Sequence, residues 1–172
     1  MKKSILMLVA GLLVIPCLDK AWSAETEGIM LPQGSRLLFA ATAEGVQIYE
    51  SKAAPAGGFQ WALKAPEATL KTLAGETFAK HGAGPSWIAN DGSKIVGKLP
   101  PLTSIKPKDG KNIPWLLVAT ESQGSVGILS SVKYVVRIDT AGGTAPAEPP
   151  TAADQTAKVA YHATYLFLAG GS

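Results

Sequence analysis

Residues 132–139 read VKYVVRID and have the most regular alternation of apolar and polar side chains in the sequence. A period of two points successive side chains to opposite faces, which is the pattern of a β-strand. The pair Gly142-Gly143 ends this predicted strand. A second alternating segment, 159–168, lies near the carboxyl terminus and also predicts a strand, with five side chains on one face: Val159, Tyr161, Ala163, Tyr165 and Phe167.

The chain before these two segments contains further strand signals separated by glycine and proline. Residues 36–41 and 46–49 flank Glu44-Gly45 and predict a hairpin, and residues 59–65 alternate again. No stretch after the amino-terminal leader has an apolar stripe of period 3.6 over three helical turns. About nine short strands without a helix predict an all-β fold, which we expect to be an antiparallel β-sandwich, with a closed β-barrel as the alternative.

The amino terminus has the three zones of an export signal. Two lysines precede an apolar run over residues 5–16, which is too short to span a bilayer. Ala21-Trp22-Ser23 then offers a small-x-small cleavage site after Ser23, with a cut one residue later as the alternative. We therefore expect residues 1–23 to be a signal peptide that is absent from the mature protein.

The remaining residues, 24–172, are expected to form a single β-rich domain, since 47% of the chain is hydrophobic. The formal charge of +3 comes mostly from the leader, where three lysines and one aspartate leave 13 basic and 12 acidic residues behind. Such a weak field gives no reason to expect nucleic acid as a partner. We expect an exported protein, periplasmic or secreted, without a transmembrane helix, whose partner is a small molecule, a glycan or a protein.

The single cysteine, Cys17, lies at the end of the apolar run, where a lipid-attachment cysteine would also lie. Val14-Ile15-Pro16 before it is a poor lipobox because proline takes the place of a small residue, so no lipid anchor is expected. Cleavage after Ser23 removes this thiol. The mature chain would then have neither a disulfide nor thiol chemistry.

The segment 80–98, KHGAGPSWIANDGSKIVGK, places a histidine, a tryptophan and two turn signals between two predicted strands. Loops collect at the ends of a sandwich and often carry the binding residues of such domains. We therefore predict that a ligand or partner binds here, through a site formed by His81, Trp87, Asp91, Ser93 and Lys94. No complete catalytic set is evident, so a non-enzymatic binding role is the leading hypothesis.

The alternative is an extracytoplasmic hydrolase or lyase. His81 would act as the general base, Asp91 would orient it, and Lys94 or the backbone of residues 82–84 would stabilise negative charge. This hypothesis predicts that the His81 and Asp91 side chains lie within hydrogen-bond reach in a cleft. Simpler roles are a histidine bonded to backbone and an aspartate bonded within its own turn. A structural envelope or secreted protein without a cleft is the third possibility.

The sequence offers no pattern for a cofactor or a metal ion. Its two histidines and single cysteine form no ligand-spaced cluster for zinc, and the turn 90–93 lacks the rest of a calcium-binding loop. No G-x-G-x-x-G motif follows a predicted strand, and strands do not alternate with helices as a dinucleotide fold requires. We therefore expect neither cofactor nor metal.

Five pieces of the chain, in order, resemble domain-of-unknown-function family 3455: LLFAATAEGVQIYE from Leu37, WALKAPEATL from Trp61, HGAGPSWIANDGSKIVGK from His81, IPWLLVA from Ile113 and YVVRIDTAGGTAP from Tyr134. The resemblance implies an exported, β-rich domain with no established activity. It also implies that relatives often have one cysteine just after the Ile-Tyr of the second predicted strand and another before the last strand. Ser51 and residues 148–150 take these places here, which fits a lost disulfide pair.

Overall fold

The computed structural model describes residues 28–171, and the predicted signal peptide with Cys17 lies outside them. The described residues form nine strands and no helix, so none of them belongs to a helix that could cross a membrane. The strands are β1 (Arg36–Ala53), β2 (Phe59–Lys71), β3 (Thr77–Gly82), β4 (Ser86–Ala89), β5 (Ser93–Gly97), β6 (Thr103–Ile105), β7 (Trp115–Gly124), β8 (Tyr134–Gly142) and β9 (Thr156–Ala169).

All nine strands belong to one antiparallel sheet with the order β5-β4-β3-β2-β1-β9-β8-β7-β6. β5 also pairs with β7, and hydrogen bonds from Lys98 N to Ala119 O and from Leu102 N to Leu117 O continue this contact towards β6. The sheet is therefore ring-like. The prediction of an all-β, antiparallel fold is confirmed, and the choice between a sandwich and a closed barrel stays a prediction.

The predicted hairpin around Glu44-Gly45 is wrong, because residues 36–53 form one continuous strand. Gly45 lies in the middle of β1, between Ala68 of β2 and Tyr161 of β9. A Cβ at Gly45 would overlap the Glu67 carbonyl oxygen and Ala68. This glycine therefore allows a close approach of two strands, a role that a sequence does not distinguish from a turn.

The apolar side chains form two clusters on opposite faces of β8 and β9. Val135 of β8 belongs to the larger, inner cluster and its neighbour Val136 to the outer one, and Phe167 and Leu168 of β9 divide in the same way. Adjacent residues of a strand face opposite sides, so this part of the sheet is buried on both faces. The inner cluster also contains side chains of β1 to β5, among them Ala43, Leu70, Ala79, Trp87 and Ile95.

The face of β2 changes along its length. Ile48 pairs with Ala65 but Tyr49 pairs with Leu63, so Lys64 is an extra residue in β2 at this point. Such a bulge re-aims the side chains that follow it. Leu63, the residue next to this bulge, is 58% exposed.

Ser51 lies against the segment that precedes β9. Its Oγ donates to Ala152 O at 2.7 Å and its backbone N–H donates to Gln155 O at 2.9 Å. A serine-to-carbonyl hydrogen bond therefore joins Ser51 to the segment just after residues 148–150.

Candidate functional site

β3 and β4 form a hairpin that places His81 directly opposite Trp87. The turn between them passes through Gly84, whose φ of 122° is one that glycine adopts readily. The two side chains are buried, with 4% and 2% exposure, and their rings stack with centroids 4.6 Å apart and planes 11° apart. Tyr165 of β9 meets both rings edge-on. This aromatic group, defined by His81, Trp87 and Tyr165, is part of the inner side of the sheet.

His81 is neutral near pH 7. Burial lowers its pKa to about 4, the hydrogen bond to Ser86 opposes this shift, and the positive charge of Arg137 adds to it. The Nδ1 atom lies 2.9 Å from Ser86 O, so the proton is assigned to Nδ1 because a carbonyl oxygen can only accept. The other ring nitrogen, Nε2, is therefore an acceptor.

A cavity of about 380 Å³ lies beside the aromatic group and is lined by all three of its members. Leu63 and Leu99, which also line it, are 58% and 66% exposed and mark its mouth. The lining residues Trp87 and Val135 are buried and mark its floor. Small-molecule sites in proteins are typically cavities of about 300–1,000 Å³ with mostly apolar walls and a few polar groups. The cavity has the size and the composition of such a site.

Two buried donors in the cavity lining have no partner. Gln47 of β1 is 2% exposed, and its Nε2, like the indole Nε1 of Trp87, makes no hydrogen bond to any described residue. Buried donors are nearly always paired, since an unpaired one costs about 1–3 kcal/mol. Both unpaired donors belong to residues that line the cavity.

Arg137 of β8 is the arginine of the cavity lining. Its Nε and Nη2 donate to Pro114 O at 3.1 and 2.8 Å, which fixes the plane of the guanidinium group. Burial lowers the pKa of His81, and the positive charge of Arg137 lowers it further. Burial raises the pKa of Tyr49 and of Tyr161, and the charge of Arg137 opposes part of this rise. The cavity therefore has a fixed positive charge.

Asp91 and Ser93 connect two loops and are not among the residues that line the cavity. Asp91 Oδ1 accepts from the backbone N–H and from the Oγ of Ser93, at 2.9 and 2.6 Å, and Oδ2 accepts from the Ile128 N–H at 2.7 Å. Ser93 Oγ in turn accepts from the Leu129 N–H at 3.2 Å. The bonds from Ser93 and Ile128 lower the pKa of Asp91. These residues tie the β4–β5 turn to the loop between β7 and β8.

The structure does not bring His81 and Asp91 together. His81 is bonded to Ser86 O, and both carboxylate oxygens of Asp91 are bonded to Ser93 and Ile128. Lys94 lies on the face of β5 opposite the buried Ile95. Within the turn, Asp91 Oδ1 accepts hydrogen bonds from Ser93, as the sequence Asn-Asp-Gly-Ser favours. Of the five predicted binding residues, His81 and Trp87 share the cavity, whereas Asp91, Ser93 and Lys94 do not line it.

Asp91→Asn is expected to lower the melting temperature by a few degrees. Its amide oxygen can still accept from Ser93, but its amide nitrogen would face the Ile128 N–H donor. Asp91→Ala removes all three bonds and is expected to lower the melting temperature further. Thermal unfolding at pH 7 measures both changes.

The effect of Asp91 should also depend on pH in one direction. Because the pKa of folded Asp91 lies below its ordinary 3.8, its contribution is present above that value and is lost as pH falls through the folded pKa. The melting temperatures of both variants should therefore approach that of the wild type as the pH falls below 3.8. An unchanged melting temperature for Asp91→Ala at pH 7 would show that these bonds do not hold the two loops together.

Sequence reasoning missed three polar residues of the cavity lining, Gln47, Lys64 and Arg137. One signal for Arg137 was present, since the apolar Val135 interrupts the polar face formed by Lys133, Arg137 and Asp139. An apolar residue on this face indicates that part of it is buried, and an arginine two residues further along the same face is then partly enclosed. No group of three His, Cys, Asp or Glu side chains that could hold a metal ion occurs among residues 28–171.

The strand order and the cavity define the class of this molecule: an all-β, antiparallel protein with a partly enclosed cavity on the inner side of its sheet. Residues 32–169 match the family model described as Protein of unknown function (DUF3455), and the chain belongs to this family. The match confirms the resemblance inferred from the sequence. No curated protein and no solved structure matches the chain.

Proposed function

We propose that this protein is an exported, non-enzymatic binding protein that holds a small molecule in the cavity beside His81 and Trp87. The observation that carries the proposal is the pair of unpartnered buried donors, Gln47 Nε2 and Trp87 Nε1, in the lining of one cavity. A fold keeps such groups at a cost to its stability. An acceptor that bonds to these donors would remove this cost, and the same hydrogen bonds would hold the acceptor in the cavity.

The chemistry of His81 favours binding over catalysis. Its Nδ1 is used by Ser86 O, and no carboxylate is among the residues that line the cavity to take up or orient a proton. Its pKa of about 4 makes it a weak base at neutral pH. His81 is therefore best suited to support the ring of Trp87, against which it stacks.

A screen of small apolar and aromatic compounds should reveal ligands that both raise the melting temperature and change the tryptophan emission. A ligand that binds the folded state alone stabilises it by mass action. Trp87 lines the cavity, whereas Trp61 donates its Nε1 to Glu148 O in another region. The emission change should therefore be lost in Trp87→Phe.

Trp61→Phe is the matched control for this screen and should keep the emission change. A response that survives in Trp87→Phe but is lost in Trp61→Phe would place the ligand away from the cavity. If no compound changes either signal in the wild-type protein, the binding proposal fails.

A further inference from the structure

We infer that the ligand is a small apolar carboxylate, whose carboxylate group bonds to Arg137 and Gln47 and whose apolar body fills the rest of the cavity. This inference rests on the proposed function, because it assigns a chemical class to the ligand of the same cavity. It adds Arg137 and Gln47 as the residues that determine specificity.

The charged residues that line the cavity are both cations, Arg137 and Lys64, and no aspartate or glutamate is among the lining residues. The ion pairs among the described residues all join a lysine to a glutamate and leave Arg137 out. A partly buried cation without a carboxylate partner favours an anion beside it. The guanidinium of arginine matches the planar geometry of a carboxylate particularly well.

The lining residues also offer hydrogen-bond donors that have no partner. Nε and Nη2 of Arg137 are used by Pro114 O, while Nη1 makes no hydrogen bond to a described residue. Gln47 Nε2 and Trp87 Nε1 are the two buried donors without partners. An ionised carboxylate only accepts hydrogen bonds and has two oxygens for several donors. An amine or another cation would meet donors and a like charge.

The wall of the cavity favours an apolar ligand body. Most of the lining is apolar, including the two leucines at the mouth, which are more than half exposed. Large apolar side chains that stay exposed at the rim of a cavity gain by covering an apolar ligand. Inorganic phosphate or sulfate would use Arg137 but leave this wall in water. The apolar members of the wall are Leu63, Ala65, Pro66, Pro85, Leu99, Leu116, Val118 and Val135.

The test compares acids with amides of the same shape by isothermal titration calorimetry of the mature chain at pH 7. Octanoate and 3-phenylpropanoate represent an aliphatic and an aromatic body, and octanamide and 3-phenylpropanamide are their uncharged counterparts. We expect at least one acid to bind about tenfold or more tightly than its amide, the usual size of a charge-assisted hydrogen bond. Inorganic phosphate is expected to bind more weakly than that acid.

Two variants assign the effect to the cavity. Arg137→Gln should weaken binding of the acid by about tenfold to a hundredfold and change binding of the amide much less. Gln47→Leu has a similar shape without the unpaired donor, so it should raise the melting temperature of the empty protein while it weakens binding of the acid. This opposite change in stability and binding is not expected of a residue with a purely structural role. It also keeps the inference testable if Arg137→Gln does not fold.

The outcomes separate the inference from the proposed function. Equal affinity for acid and amide, with the emission of Trp87 still responding, would overturn the carboxylate and leave a small-molecule site. Phosphate that binds as tightly as octanoate would overturn the apolar body. Acid binding that is unchanged in both Arg137→Gln and Gln47→Leu would overturn the assigned residues. Absence of binding by all four organic probes and by every compound of the wider screen would overturn the inference and the proposed function together.

Discussion

Gly45→Ala is expected to destabilise the protein by roughly 3 kcal/mol or more, the upper range for overpacking of a rigid site. The added methyl group would overlap the carbonyl oxygen of Glu67 and the Cα and Cβ of Ala68 on β2. These are mainly backbone atoms, which cannot move aside as the end of a flexible side chain can. Gly45 also pairs with Tyr161 of β9, so a shift of β1 away from β2 would disturb a second interface.

The matched control is Gly82→Ala, because Gly82 is also a strand glycine without a positive φ. A Cβ there would meet only Ser86 Oγ, at an ordinary distance of 3.8 Å. We expect its free energy of unfolding to change by less than about 0.5 kcal/mol. Urea titrations of both variants measure the difference. Equal stabilities would show that β1 and β2 are not as close at Gly45 as the structure has them.

The free energy of unfolding should fall by about 3 kcal/mol between pH 7 and pH 4 on account of His81. The pKa of this histidine is about 4 in the folded chain and has its ordinary value of 6.5 when the chain is unfolded. Between these values the unfolded chain takes up a proton that the folded chain does not, so stability falls as pH falls. Each pH unit of this difference is worth about 1.4 kcal/mol, and the loss levels off below the folded pKa.

Carboxylates also make the free energy of unfolding depend on pH, but only at lower pH. The pKa values of Glu44, Glu50 and Asp91 are lowered from 4.5, 4.5 and 3.8, so their contributions are complete above those values and decrease only below them. Denaturant titrations between pH 7 and pH 5 therefore isolate His81. His81→Asn can keep the donor to Ser86 O but has no proton to gain, and its curve in this interval should be flat. A wild-type curve that is equally flat would contradict the buried, neutral histidine.

The all-β class could be predicted because side chains alternate between an apolar and a more polar face in several strands. In β9, Tyr161, Tyr165 and Phe167 face the inner cluster as the alternation predicts. The error at Gly45 has a physical cause, since glycine serves both tight turns and close strand contacts. The pairing partner decides between these roles, and a partner more than 20 residues away along the chain is not visible in the local pattern.

The site was predicted only where its residues are close in sequence. His81 and Trp87 meet through a short hairpin, so one dense segment contains both. Gln47 and Arg137 reach the same cavity from β1 and β8, through the order of strands in the sheet. Asp91, by contrast, is near His81 in sequence but lies in a turn that bonds to the β7–β8 loop. Proximity along the chain was therefore a poor guide to what shares the cavity.

The double pairing of β5 affects how copies of this protein meet at high concentration. β5 begins the strand order, yet both its edges are occupied, by β4 and by β7. At the other end, β6 is only three residues long and lies between Pro101 and Pro107. Long unpaired edges are the templates for strand addition and aggregation, and prolines close to an edge oppose both. Edge-to-edge assembly through the two ends of this sheet is therefore disfavoured.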